Sequence, residues 1–279
     1  MSLTSKTVQT SKAMRFSFFF AAASVALAAI PLFLFSERTD EFFAWTIQPP
    51  LTAAFLGAGY WAVTVAAILA IQQREWTKVR IVLPVVISGV TLILLATLLH
   101  LDRFHLASPI FTAKLEAWAW LVLYVALVPL IIWGIWQQRL EAGIELPRQT
   151  SLPAWLRLLM AITGTVMVLL GIGLFLFPLE VSSALWSWTL TPLTGRMTGA
   201  WLVAIGISLL IGVWENDYHR LYIAAAAYIT YPLLQGINLL RYSATPQWSS
   251  SQLWLLLLIL VSLLITGISI MRGYLRSRT

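Results

Sequence analysis

The chain has 279 residues, of which 59% are hydrophobic and only 10% charged, against about 25% charged in an ordinary soluble protein. That deficit, with apolar runs of about twenty residues, excludes a soluble globular protein and predicts an all-α, polytopic membrane protein. The net charge of +7 predicts no nucleic-acid partner, because the basic residues are scattered over short loops and both ends. The absence of cysteine excludes disulfides, thiolate zinc sites, thiol catalysis and iron–sulfur ligation.

Runs long enough to cross a bilayer lie at about 16–35, 52–71, 81–101, 115–136, 157–177, 197–214, 220–241 and 253–271. Twenty helical residues reach roughly 30 Å, the thickness of the hydrocarbon core. The first run has the basic start of a signal peptide but is longer than the usual core of about 7–15 residues. Between the first two spans lies WTIQPPLTAAFLGAGYW, with Trp45 predicted as an interface anchor and proline in the first turn of the next helix. Gly57 and Gly59 then allow close helix approach, and Thr52 can cap or bond helix backbone.

The third span ends LLATLLHLDRFH. The fourth begins with Lys114 and Glu116, where a carboxylate suits a helix start. After a linker at about 137–156, the sixth span is introduced by WTLTPLTGRMTGAW, with Trp188, Thr194 and Gly199. The seventh ends ITYPLLQGINLLRY. Pro84, Pro129 and Pro232 inside spans predict kinks.

The halves register on one another. At an offset of 142 Arg15 meets Arg157, LFLF at Leu32 meets LFLF at Leu174, and Pro50-Leu51-Thr52 meets Pro192-Leu193-Thr194. Gly57 meets Gly199, and Lys78 meets Arg220. The offset slips to 138 at Arg103 and Arg241, and to 136 at Glu116 and Gln252. Four spans per half insert both halves the same way up, so the expected fold is two parallel four-helix repeats. The expected divisions are a tail at 1–14, repeats at 15–139 and 157–273, a linker at 140–156 and a tail at 274–279.

Lys6, Lys12, Arg15, Arg74, Lys78, Arg80, Arg139, Arg148, Arg157, Arg220, Arg272, Arg276 and Arg278 fall on the side of the termini. Only Arg38, Arg103, Lys114, Arg196 and Arg241 fall opposite. This asymmetry predicts both termini in the cytoplasm, as expected of a protein of the inner cell membrane.

Tyr231, Gln235, Asn238 and Tyr242 share one helix face, rising to Arg241. The 138 offset superposes Thr97 on Gln235, His100 on Asn238 and Arg103 on Arg241. If matching stripes face a shared axis, Thr97, His100, Arg103, Gln235, Asn238 and Arg241 would line an outward pocket for a small anion or lipid head group. The other reading of the same residues is interhelical hydrogen bonding with the arginines at the interface. His100, Asp102 and His105 lack the spacing of a metal site, and neither a metal nor a cofactor is predicted.

The phrases LLHLDRFH and WTLTPLTGR resemble those of multi-span bacterial membrane proteins with no assigned activity, so the resemblance carries over no site residue. The first half reads WTIQPPLTAA, without the Gly-Arg that follows Leu193-Thr194. Three functions fit: binding or transport of a small anionic or lipid-like ligand, an accessory subunit against a partner membrane protein, and a lipid-modifying enzyme. The expected partners are membrane lipid, a small anion or a partner membrane subunit. Enzymatic activity has the least support, since few titratable groups are available to converge.

Overall fold

A computed structural model describes residues 7–277. Lys6, Arg278 and the outer ends of the two expected tails lie outside the described residues. All regular structure among the described residues is helical, apart from isolated bridges at Thr7–Ile144 and Gln9–Glu75. Eight helices are long and apolar enough to span a membrane, which makes this a multi-pass membrane protein. They are α1 (Lys12–Leu34), α2 (Pro50–Gln72), α3 (Val82–Leu99), α4 (Phe111–Arg139), α5 (Ala154–Leu176), α6 (Pro192–Glu215), α7 (Tyr218–Arg241) and α8 (Ser251–Arg276).

Local chemistry sets their ends. Ser11 accepts from the Met14 N–H at the start of α1, and Ser250 from Leu253 at the start of α8. Pro50 and Pro192 occupy the first turns of α2 and α6, where no donor is lost. Thr191 and Thr194 form a reciprocal capping box on α6. Asn216, at φ 46°, ends α6 in the left-handed region, and Asp217 at once caps α7. Pro84 is the third residue of α3 and so sits in its first turn, where proline is tolerated; the kink expected there loses its cause. Pro129 and Pro232 do lie inside α4 and α7. The sixth span starts at Pro192, earlier than hydropathy predicts, because the capped Thr-Gly-Arg segment is already helical.

The helices pack in a reciprocal pattern. Helix α1 packs on α2 and α4, and α3 on α4 and α6. Helix α5 packs on α6 and α8, and α7 on α8 and α2, with α2 also touching α6. These pairings are unchanged when α1–α4 are exchanged with α5–α8. The closest seam is α5 against α6, where glycines spaced by seven face each other. A Cβ on Gly199 would lie 2.5 Å from the Gly171 carbonyl oxygen, and one on Gly206 would lie 2.7 Å from that of Gly164. Small residues at these points let antiparallel backbones touch. Gly57 does the same between α2 and α1, 2.7 Å from the Phe33 nitrogen.

The described ends of the chain, the α2–α3 and α6–α7 loops and the 140–153 linker share one face. Thr10 N–H donates to the Arg74 carbonyl, Val8 to Ile144, and Tyr218 to Thr150. A charge cluster stitches this termini face together. The Glu215 carboxylate, only 2% exposed, accepts from Arg80 Nε (2.6 Å) and Nη2 (2.8 Å) and from Arg220 Nη1 (2.9 Å). Arg220 also donates to the Leu146 carbonyl at 2.5 Å, and Glu145 pairs with both arginines. The opposite face, here called the far face, carries the 35–49, 100–110, 177–191 and 242–250 connections, with short helices at Thr39–Phe42 and Pro178–Leu185.

Candidate functional site

The two polar stripes are not gathered round one cavity. Thr97 is buried, donates to the Ile93 carbonyl (2.8 Å) and accepts from Trp120 Nε1 (3.0 Å). Gln235 and Asn238 are also buried and come together against α2. Gln235 Nε2 donates to the Phe55 carbonyl (2.9 Å), Asn238 Nδ2 to that of Ala54 (2.8 Å), and Asn238 Nδ2 also to Gln235 Oε1 (3.3 Å). Arg241 donates to the Phe33 carbonyl (2.8 Å) and reaches Glu37 at 3.4 Å, fastening the end of α7 to that of α1. The separation has a simple cause. Helices α3 and α7 each lie on the second helix of the other half, so Gln235 and Asn238 meet α2, whereas Thr97 turns to Trp120 on α4. Ala54, Gly57 and Ala58 keep α2 slim around the Ala54 and Phe55 carbonyls, which the amide side chains reach.

Of the six residues, His100 and Arg103 line a far-face pocket of about 520 Å³. Trp45, Thr46 and Asp102 complete the first-half wall, and Thr191, Pro192 and Leu193 at the start of α6 form the other. Helix α3 stops at Leu99, and a 3-10 turn over Leu101–Arg103 swings Asp102 and Arg103 to the surface, where they pair at 3.0 Å. Both nitrogens of His105 are engaged, Nδ1 with the Phe43 carbonyl and Nε2 with Thr46 Oγ1, each at 3.0 Å.

Behind His100 stands a residue that the repeat comparison set aside. Arg196, one turn into α6, places Nη1 2.9 Å from His100 Nε2. A guanidinium can only donate, so the ring must accept there. Partial burial, and next the Arg196 cation, hold the His100 pKa below its ordinary value, with Asp102 opposing. Among the described residues no carboxylate pairs with Arg196. The signal for it in the sequence was the Gly-Arg present in only one copy of the repeated phrase.

The tryptophans of that phrase are buried in aromatic clusters, so their rings tie the far-face connections to the protein and not to lipid. Trp45 packs on Phe43, Phe104 and Trp120, and Trp188 on Phe55 and Trp186. Trp188 Nε1 donates to Thr52 Oγ1 at 3.0 Å, so the two copies of the phrase touch. The reciprocal bond is missing. Thr194 is engaged by Thr191, whereas Pro49, in the corresponding place, has no hydroxyl to engage Thr52. Trp45 Nε1 is thereby left buried without a partner, in a residue of the pocket wall. Nor does Glu116 cap α4. It is the sixth residue of that helix and lines a separate, apolar cavity. No family model, curated protein or solved structure matches the chain.

Proposed function

We propose that this protein binds a small anionic group, a carboxylate or phosphate, in the far-face pocket. The observation that carries the reading is Arg196, a cation without an acid, set against a neutral His100 in the pocket wall. Arg103 and the dipole at the start of α6 favour negative charge at the same place, opposed by the Asp102 carboxylate that pairs with Arg103. Binding has more support than transport. Between α2, α3, α6 and α7 lies a space of only about 50 Å³, mainly apolar and far too small for a polar pathway. Gln235, Asn238 and Arg241 then hold helices together and do not touch the ligand.

The pocket draws one wall from each half, which fits a tandem duplication of a four-helix unit over 15–139 and 157–273. The exchangeable pairings support that duplication, and they support parallel repeats about an axis along the membrane normal. The basic termini face supports cytoplasmic ends in a bacterial inner membrane.

The test is thermal stabilisation of the purified protein by inorganic phosphate and by acetate. The Arg196→Gln variant is expected to lose the stabilisation and Arg241→Gln to keep it. Stabilisation that survives Arg196→Gln ends the reading. An accessory role draws on a lipid-facing stripe of α4, where Phe111, Trp118 and Trp136 stand exposed. A membrane chain retained through purification and lost on substituting that stripe would favour it.

A further inference from the structure

A second cavity, of about 320 Å³, opens between α1, α3 and α4, with Trp201 and Ala204 of α6 behind it. Small side chains make the space, chiefly Ala28 on α1, Gly89 on α3 and Ala119 on α4. Its wall runs out to Leu27 and Leu115, which are 58% and 56% exposed on the surface that faces lipid. The cavity is therefore reached sideways from the bilayer. Its volume is at the lower end of the roughly 300–1,000 Å³ of small-molecule sites.

The lining is mainly apolar, and the polar atoms of Ser24, Trp120 and Tyr124 are bonded to Phe20, Thr97 and Tyr60. Glu116, half-buried, faces the cavity and has no hydrogen bond or ion pair among the described residues. A carboxylate beside hydrocarbon is expensive to maintain and is ordinarily retained for a partner. The second half offers a contrast. There Gly267 seats α8 on the α7 backbone, with a Cβ only 2.9 Å from the Ala225 carbonyl oxygen and 2.8 Å from Ile229 Cγ1. Gln252, which matches Glu116 in sequence, donates to the Ala184 carbonyl at 3.2 Å. The acid thus stands unpartnered at a cavity, where the amide that matches it in sequence is bonded.

We propose that this cavity binds a lipophilic amine, its apolar body lodged between α3 and α4 and its ammonium on Glu116. The body would come from the bilayer through the gap at Leu27 and Leu115. The ammonium would neutralise the carboxylate where water is scarce, which distinguishes this site from the cationic far-face pocket.

Dodecylamine, dodecanol and dodecanoate, added to protein in a neutral detergent, test the assignment by their dissociation constants. The wild-type protein is expected to bind the amine at least tenfold more tightly than the carboxylate, a difference of about 1.4 kcal/mol. Glu116→Gln is expected to weaken the amine to the level of the alcohol and leave the alcohol unchanged. Gly89→Leu is directed at the space, since a Cβ there makes only an ordinary contact, with the Ala204 Cβ at 3.7 Å. That variant is expected to lose all chain binding while melting as the wild type does. Equal binding of amine and carboxylate by the wild-type protein, or undiminished amine binding in either variant, overturns the proposal.

Discussion

Glu215 is the acid on which the termini face converges, and replacing it with glutamine isolates the value of its charge. The substitution keeps the shape and one acceptor but removes the countercharge of Arg80 and Arg220, whose side chains are 20% and 9% exposed. Removing one partner of a buried ion pair costs about 3–5 kcal/mol, because the other is left uncompensated. Glu145, half-exposed, still touches both arginines and offsets part of this, so the lower end, about 3 kcal/mol, is expected. For a chain of this size that corresponds to a fall of roughly 6–12 °C in melting temperature. The assay is thermal melting in detergent at a fixed scan rate, since membrane proteins commonly unfold irreversibly. The triple change Arg80→Met, Glu215→Leu and Arg220→Met removes the buried charges together and leaves only the half-exposed Glu145, which water can solvate, so it should cost less than the single change. A glutamine variant that melts within about 2 °C of wild type, or a triple variant that is worse than the single, refutes the reasoning.

Two glycine substitutions should move stability in opposite directions. Gly199→Ala places a methyl 2.5 Å from the Gly171 carbonyl oxygen, forcing α5 and α6 apart. The overpacking costs about 1–3 kcal/mol, more than the gain in helix propensity of about 1 kcal/mol. Gly236→Ala meets nothing within 4 Å, so it should keep that gain and raise the melting temperature. His100 should give the protein an acid-side slope. Its folded pKa lies below the unfolded value, so its contribution is complete above about pH 6.5 and falls with pH until the folded ring protonates and can no longer accept from Arg196. Melting at about pH 7.5 and about pH 5.5 should show this fall in the wild type and a smaller one in His100→Gln.

The eight spans were legible because the bilayer dictates the length and polarity of anything that crosses it, and each half-turn of charge fell at a helix end. The start of α6 was not, since Thr-Gly-Arg reads as a loop until the capping box of Thr191 and Thr194 is seen. The glycine seam of α5 and α6 was present in the sequence as two pairs spaced by seven, yet periodicity does not name the partner helix. The same limit governs the polar stripes. Spacing placed Gln235 and Asn238 on one face but could not say that the face meets the α2 backbone. The general habit of tryptophan at interfaces does not reveal that Trp45 and Trp188 are buried in aromatic clusters within the far-face connections. Arg196 was visible only as a departure from the repeat.

The crossed pairing of the two halves has a cost during biosynthesis. Helix α3 leaves the ribosome about a hundred residues before α6, the neighbour that covers it, has been made. At translation rates of about 5–20 residues per second that is a wait of several seconds or more. For that interval α3 must be sheltered by the insertion machinery or by lipid. Neither half expressed alone can bury the surfaces that belong to its twin, and supplying the two as separate polypeptides in one cell should restore what each lacks.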